Sequence, residues 1–457
     1  MLYDSQPRGC RFHQYSNGPR RSAMTKIIDG YKGDHFLKKV NRRDFIVRSL
    51  ATGALLLTPR FVKAGSSKPY RIGVALPTTG AGANYSERPI KGLPLIAAEI
   101  NKRGGLLGKH PIELYFRDTQ TKPDAGAREA RSLILNEKVQ TIIGTWSSAV
   151  AMAIQEVIHE RKVLHLAATS NSSKIVNENY TPYTFQFGPN SRMQSGATVV
   201  AVLKMIKTNG WKNYITIGQD YEWGRDAQSV FVKKLTVESP STKLKKELWC
   251  KLGETDFTSY ITAIMALKPD FLFGAIAGKD NETFLQQAKA SGLFRRVAYP
   301  GVFLPVTELM QQRKTLPRDI IGLNRCPFFA HMDNPIMQGY VKTFQAKFGN
   351  DDYPDDFACM YFDALNGLAQ GAAKARSIHS DAIKDALKGA TIDTCRGKLT
   401  FRDCNNQLDA ASYVGKVVDT PDYPFPIFDP KSMIAVQGHE VWIPTCEEVK
   451  KLQKKRK

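Results

Sequence analysis

The chain has 457 residues, 42% of them hydrophobic and 24% charged, with 65 Lys/Arg against 43 Asp/Glu for a net charge of +22. That length is more than one small core can use and predicts two domains. The basic excess admits an anionic ligand or surface, but apart from Lys450–Lys457 it is scattered, and without a helix-turn-helix, zinc-finger or stacking-aromatic pattern no nucleic-acid partner is expected.

Residues 1–40 show little apolar periodicity and many basic and turn residues, as in an overlong leader in which Met24 is an alternative start. Asn41–Val47 then carries the pair Arg42-Arg43 with Phe45 two positions on. An apolar run from Ser49 to Pro59 follows, too short to span a bilayer, and Val62-Lys63-Ala64 ends it with small residues. Together these read as a twin-arginine export signal cut after Ala64. The reading places residues 65 onward in the periplasm, already folded on crossing. Residues 1–64 hold 13 Lys/Arg and 4 Asp/Glu, so the remainder keeps +13. No later apolar run is long enough for a membrane span, so the mature chain is expected to be soluble.

Tyr70–Leu76 is an apolar, β-branched run closed by Pro77 and Gly80, the pattern of a buried strand. Leu93, Ile96, Ala97 and Ile100 recur at helical spacing, and Gly104-Gly105 stop that helix. Ile112–Arg117 reads as a strand, Pro123–Leu135 as a helix, Val139–Ile143 as a strand. A helix over Ala149–Ile158 is capped by Ser147 or Ser148, and Val163–Ala168 is a fourth strand. The alternation then restarts. Helices are predicted over Met193–Asn209, Trp223–Leu235, Phe257–Leu267 and Glu282–Ser291, with strands at Tyr214–Gly218, Leu244–Cys250, Phe271–Ala275 and Val297–Gly301. Three further helices (Ile336–Phe348, Phe357–Ala375, Asp381–Leu387) and two strands (Lys398–Arg402, Ser412–Val418) complete the chain. Strand and helix taking turns build parallel sheets covered on both faces. The expected fold is therefore α/β, with two doubly wound parallel-sheet lobes joined by hinges. The first lobe takes residues 65–187 and 325–403, the second 188–324 and 404–445, and 446–457 form a basic C-terminal tail. Phe187-Gly188-Pro189-Asn190 is a candidate hinge.

Outside the leader the cysteines are Cys250, Cys326, Cys359, Cys395, Cys404 and Cys446. An even number in an oxidising compartment permits disulfides. Cys395 and Cys404 bracket a short strand and turn and are the pair expected to bridge; the others stay unassigned. No pair has the C-x-x-C spacing of a metal site, and neither metal nor cofactor is expected.

Ligands of parallel α/β sheets bind beyond the carboxyl ends of the strands. After the first strand comes an open, small-residue turn ending at Tyr85. Thr145, Trp146, Ser147 and Ser148 follow the third strand at a helix start, where free N–H groups and hydroxyls suit an anion. Ala167, Ala168 and Thr169 end the fourth. In the second series Tyr221 and Trp223 follow one strand and Phe303 another. A serine at a helix start is more often only a cap, and Tyr85 alone is as readily a packing residue. Jointly they describe hydroxyls and N–H groups facing aromatics, the layout of a cleft for a carboxylate.

The same stretches resemble bacterial solute-binding proteins of the branched-chain amino acid (Leu/Ile/Val) class, which serve ATP-driven (ABC) importers. The resemblance covers Pro69 to Val418. It is carried by Ile72–Gly80, Ala98–Gly108 with its paired glycines, Ile143–Val150, Asp220–Asp226 and Phe362-Asp363-Ala364. It implies the type I periplasmic binding fold and a small-molecule ligand, a carboxylate or amino acid, between two closing lobes. It also implies a membrane permease as partner and a monomeric state. Position by position, Ser147 would hold the ligand carboxylate, with Thr169 and the backbone of Ala167 helping. Tyr85 would close over the ligand from one lobe, Tyr221 or Trp223 from the other. Two departures matter. The amino-acid binders place an acid after the strand equivalent to Val297–Gly301, to meet the ligand ammonium, and here the match is Phe303. A second-lobe aromatic near Gly278 is also missing. An unpaired buried ammonium is costly, so unless Asp220, Glu222 or Asp280 compensates, a carboxylate lacking an amine, or a small amide, fits better.

Other classes fare worse. Gly80-Ala-Gly82-Ala-Asn-Tyr85 is a dinucleotide turn without its third glycine, and no nicotinamide or flavin signature continues it. His159-Glu160 is followed by His165, six positions from His159 where a zinc protease needs four. No G-x-S-x-G elbow occurs. The expected activity is binding, not catalysis. The alternatives are a ligand-sensing lobe of a receptor complex and, behind it, a twin-arginine-exported redox enzyme.

Overall fold

The computed structural model describes residues 68–318, 320–442 and 444–454. Arg42, Arg43 and Ala64 of the expected signal lie outside these residues. Among those described, no helix is long and apolar enough to cross a membrane.

The first sheet is wholly parallel. Its strands are β1 (Tyr70–Leu76), β2 (Ile112–Asp118), β3 (Thr141–Gly144), β4 (Leu164–Ala167) and β5 (Thr184–Gln186), in the order β2-β1-β3-β4-β5. Ile72, Gly73, Val74, Ala75 and Leu76 are buried without a break, as expected of a strand covered on both faces. The helix Glu87–Lys102 turns Ile90, Leu93, Ile96, Ala97 and Ile100 inward. Gly105 then takes φ +81°, and a Cβ there would stand 2.0 Å from His110 O, so this turn requires glycine.

The second lobe holds a three-stranded parallel sheet. β6 (Asn213–Gln219) lies between β7 (Lys243–Cys250) and β8 (Phe271–Ala275), all parallel. The expected strand Val297–Gly301 makes isolated bridges alone, from Ala298 to Phe271, Gly301 to Gly274 and Pro300 to Ile321. Pro300 has no N–H to extend a ladder. Beyond these bridges lies a separate four-stranded sheet, in which β9 (Ile321–Asn324), β13 (Ile427–Phe428) and β14 (Ile434–Val436) all run antiparallel to β12 (Ser412–Val418). The second lobe thus keeps its parallel sheet and adds an antiparallel one, built where chain returning late in the sequence pairs with β9.

The helices Pro335–Phe348, Asp356–Ala375 and Ser380–Leu387, with the hairpin of β10 (Thr391–Thr394) and β11 (Gly397–Thr400), come back to the first sheet; Asp356–Ala375 packs on Glu87–Lys102. Around Phe187–Asn190, Gln407 Nε2 donates to Gly188 O (2.9 Å), Asn190 Nδ2 donates to Gln407 Oε1 (3.0 Å) and Arg396 Nη2 donates to Phe187 O (2.9 Å). Gln407 also pairs in parallel with Gln186.

The expected Cys395–Cys404 bridge is not formed. Cys404 bonds to Cys446, 42 residues on, and Cys395 is a buried free thiol. The turn at Cys395 faces inward because Asp363 Oδ1 accepts its N–H at 2.7 Å. Cys404 instead meets the last segment, whose residues Cys446–Lys454 form a helix rather than a plain tail; Gln453 Nε2 donates to Cys404 O at 2.8 Å. Closing a loop of this length in the unfolded chain is worth about 2–4 kcal/mol. Cys446→Ser is expected to lower stability by that amount in denaturant titrations run without reductant, and by almost nothing when reductant is present.

Candidate functional site

Tyr85 lies at the meeting of the two lobes. Its ring stacks on Trp146 (centroids 5.6 Å) and Phe357 (4.5 Å) and stands edge-on to Phe303 (5.7 Å). Its hydroxyl accepts the Gly278 N–H at 2.7 Å and donates to Glu308 Oε1 at 2.6 Å. A first-lobe ring thus reaches across to the Gly278 backbone. Gly278 permits this: its φ is +76° and a Cβ would lie 2.8 Å from Ala81 O. Trp146 continues the stack to Tyr221 (6.4 Å), and Trp223 meets Phe303 edge-on (5.6 Å). Six aromatics from both lobes therefore form one group, all buried except the half-buried Tyr221.

The polar rim lies beside them. Thr145 follows Gly144, whose φ of +135° brings it so near β1 that a Cβ would be 2.1 Å from Ala75 O. Ser147 sits at the start of the helix Ser148–Arg161, 2% exposed, and its side chain makes no capping bond. Ser148, by contrast, is structural: its hydroxyl accepts the N–H groups of Asn171 (3.3 Å) and Ser172 (2.9 Å). Ala167 gives its carbonyl to Phe187 N–H (3.1 Å), so it serves the sheet, and Ala168 is fully buried behind it. Thr169 Oγ1 donates to Thr145 O (3.2 Å), and Thr169 O accepts from Arg325 Nη1 (2.6 Å).

Arg325 carries no mark in the sequence, yet it closes this rim. It is 1% exposed and lies over the rings of Phe357 (5.0 Å) and Phe303 (5.4 Å), with Asp356 Oδ2 3.8 Å from Nη2. Its Nε and Nη2 donate to nothing within the described residues, and Thr145 Oγ1 and Ser170 Oγ are likewise buried without a partner. Asp356 Oδ2 is likewise without a hydrogen-bond partner, so both charges of this pair keep open hydrogen-bonding capacity in a setting where buried polar atoms are nearly always satisfied.

Glu308 is the second residue that the sequence hid. It lies on the short helix Val306–Gln311, five positions beyond Phe303, and Asn281 Nδ2 donates to its Oε2 at 2.7 Å. Burial pushes its carboxyl up to about 8, against the hydrogen bonds from Tyr85 and Asn281. The acids considered from sequence are engaged elsewhere. Asp220 pairs with exposed Arg225 (2.7 Å), Glu222 takes Ser172 Oγ (2.9 Å) and Lys174 Nζ (3.1 Å), and Asp280 takes Gln219 Nε2 and Gly253 N–H (both 2.7 Å). The bonds of Ser172 and Lys174 to Glu222, and that of Ser173 Oγ to Asp226 (2.7 Å), fasten the two lobes together beside the aromatics.

A two-lobed α/β frame with its polar rim and aromatics gathered between the lobes is the architecture of a type I periplasmic binding protein. Residues 69–421 match the model of the periplasmic binding protein family, and the chain belongs to that family. It is 23% identical to the leucine-, isoleucine-, valine-, threonine- and alanine-binding protein of Pseudomonas aeruginosa, over 72% of this chain and 85% of that one. Among solved structures it is similar to an amino acid ABC transporter substrate-binding protein from Pseudomonas fluorescens (TM-score 0.73, 18% identity, 84% of this chain and 98% of that one). It is also similar to an ABC transporter solute-binding protein from Rhodopseudomonas palustris in complex with 3,4-dihydroxybenzoic acid (TM-score 0.68, 20% identity, 81% and 98%).

Proposed function

We propose that this chain is the solute-binding protein of an ABC importer and that its ligand is a small planar organic acid gripped between the lobes. The observation that carries the ligand class is the Arg325 guanidinium, buried against Phe303 and Phe357 with two N–H-bearing nitrogens unspent. A carboxylate meets a guanidinium fork through paired, charge-assisted bonds, and flat rings around it favour a flat ligand. The Rhodopseudomonas relative, of like fold, holds an aromatic acid of this kind. In this reading the Ser147 hydroxyl and Thr145 Oγ1 complete the polar end. Tyr85 and Trp146 cover the ligand from the first lobe, and Tyr221, Trp223 and Phe303 from the second. A ligand that contacts both lobes shifts the population towards closure, and the closed form is what a membrane permease would recognise. The protein would work as a periplasmic monomer, exported through the signal at Arg42-Arg43.

Glu308 favours a second reading, an amino-acid ligand whose ammonium it would meet. Against it, that carboxyl already accepts from Tyr85 and Asn281, and burial favours its neutral form. Calorimetry with aromatic acids, aliphatic acids and leucine decides between the two. Heat from the aromatic acids is the expected result; tight leucine binding with silent acids sinks the proposal. Ser147→Ala should weaken binding of the acid by about 1–3 kcal/mol, the worth of a hydrogen bond to a charged group. An unchanged affinity removes Ser147 from the site.

A further inference from the structure

Cys326, Cys359 and Cys395 are far apart in sequence and meet in the first lobe. Cys326 follows β9, Cys359 lies on the helix Asp356–Ala375, and Cys395 occupies the turn between β10 and β11. All three are fully buried free thiols, with their sulfurs within 4.8 Å of one another. A fourth sulfur, Met337 Sδ from the helix Pro335–Phe348, stands 3.9 Å from Cys359 Sγ. No C-x-x-C spacing announces this cluster, because each sulfur comes from a different element.

We propose that these three cysteines form a binding site for a thiophilic d10 cation, Cu(I) or Zn(II), with Met337 as a weak fourth donor. This goes beyond solute binding and does not depend on it. The dimensions fit: a metal–thiolate bond of about 2.3 Å places trigonal or tetrahedral sulfurs roughly 3.8–4.0 Å apart, inside the observed limit. The donors are uniformly soft, which excludes the hard cations Mg²⁺ and Ca²⁺. Two buried arginines border the cluster along the chain, Arg325 before Cys326 and Arg396 after Cys395, and offset thiolate charge; Arg396 shares its own with Asp363 at 2.9 Å. A disulfide would use only two of the three thiols and leave the third buried beside it, whereas one ion engages all three. A surface cavity of about 440 Å³ is lined by His331 and by Thr394 and Arg396, the chain neighbours of Cys395. The ion would pin the segment after β9, the long helix and the hairpin to one another, next to the hinge.

The test uses the full chain, purified anaerobically, reduced and stripped with a chelator, then titrated separately with Zn(II) and with Cu(I) delivered from a chromophoric competitor. One of the two ions is expected to bind at about one equivalent per chain and to raise the melting temperature. The bound ion should be lost in Cys359→Ser and retained in Cys250→Ser, whose thiol is outside the cluster. Should Cys359→Ser fail to fold, X-ray absorption of the loaded parent protein takes its place: a sulfur shell is expected, and a nitrogen or oxygen shell overturns the site. Binding of neither ion, equal binding by Cys359→Ser, or a disulfide between any two of the three cysteines in unreduced protein likewise overturns it.

Discussion

Arg325→Met is expected to lose about 3–5 kcal/mol of folding stability, the usual result of stripping one partner from a buried ion pair. Arg325 and Asp356 are 1% and 0% exposed in their side chains, so the carboxylate left behind would have neither solvent nor cation. The Thr169 carbonyl would lose its donor as well. A second effect accompanies the first. If Arg325 receives the ligand carboxylate, the same substitution should weaken acid binding by about 2–5 kcal/mol, as truncation of a buried charged partner does. The two effects separate in the double variant Arg325→Met/Asp356→Asn. Removing the orphaned charge should restore much of the stability while leaving binding impaired. Denaturant titration and calorimetry on both variants measure this. A double variant that is stable and binds the acid as tightly as the parent would show that Arg325 only holds the fold.

Glu308→Gln should have its largest effect on how stability depends on pH. The carboxyl's ordinary value of 4.5 is pushed to about 8, chiefly by burial. Below the ordinary value the folded and unfolded chains are both protonated, and the site contributes its full stability. As pH rises towards 8, the unfolded chain releases the proton while the folded chain keeps it, so stability drains away through that window and levels off above it. The loss is roughly 3–5 kcal/mol, at about 1.4 kcal/mol for each pH unit of the window. Glutamine has no proton to release. The variant should therefore match the parent near pH 4.5 and exceed it at pH 8, as read from denaturant midpoints across the range. Parallel pH profiles would mean that Glu308 is ionised in the folded protein. In that event a cationic ligand group becomes the better reading of the cleft.

Much of this was written in the chain itself. The apolar runs at Tyr70–Leu76 and Phe271–Ala275 announced buried strands, and the former's neighbours Gly104-Gly105 announced the end of a helix. Tyr85, Trp146 and Phe303 were legible as residues beyond strand ends, and the structure gathers all three into one aromatic group. Ser148, Ala167 and Ala168 were legible only as neighbours of that rim; their polar groups are occupied by the frame.

Local order is legible in the chain, namely the alternation of strands and helices, the glycine stops and the residues that follow each strand, since each depends on residues near in sequence. Tertiary structure alone decided the partners drawn from afar. Cys404 found Cys446 instead of Cys395, β12 paired antiparallel with β9, Tyr85 crossed to Gly278 and Glu308, and Arg325 was folded under Phe303 and Phe357. Charge, thiol and hydroxyl acquire their chemistry from whatever is packed within a few ångströms, and over distances of tens to hundreds of residues no spacing along the chain records that.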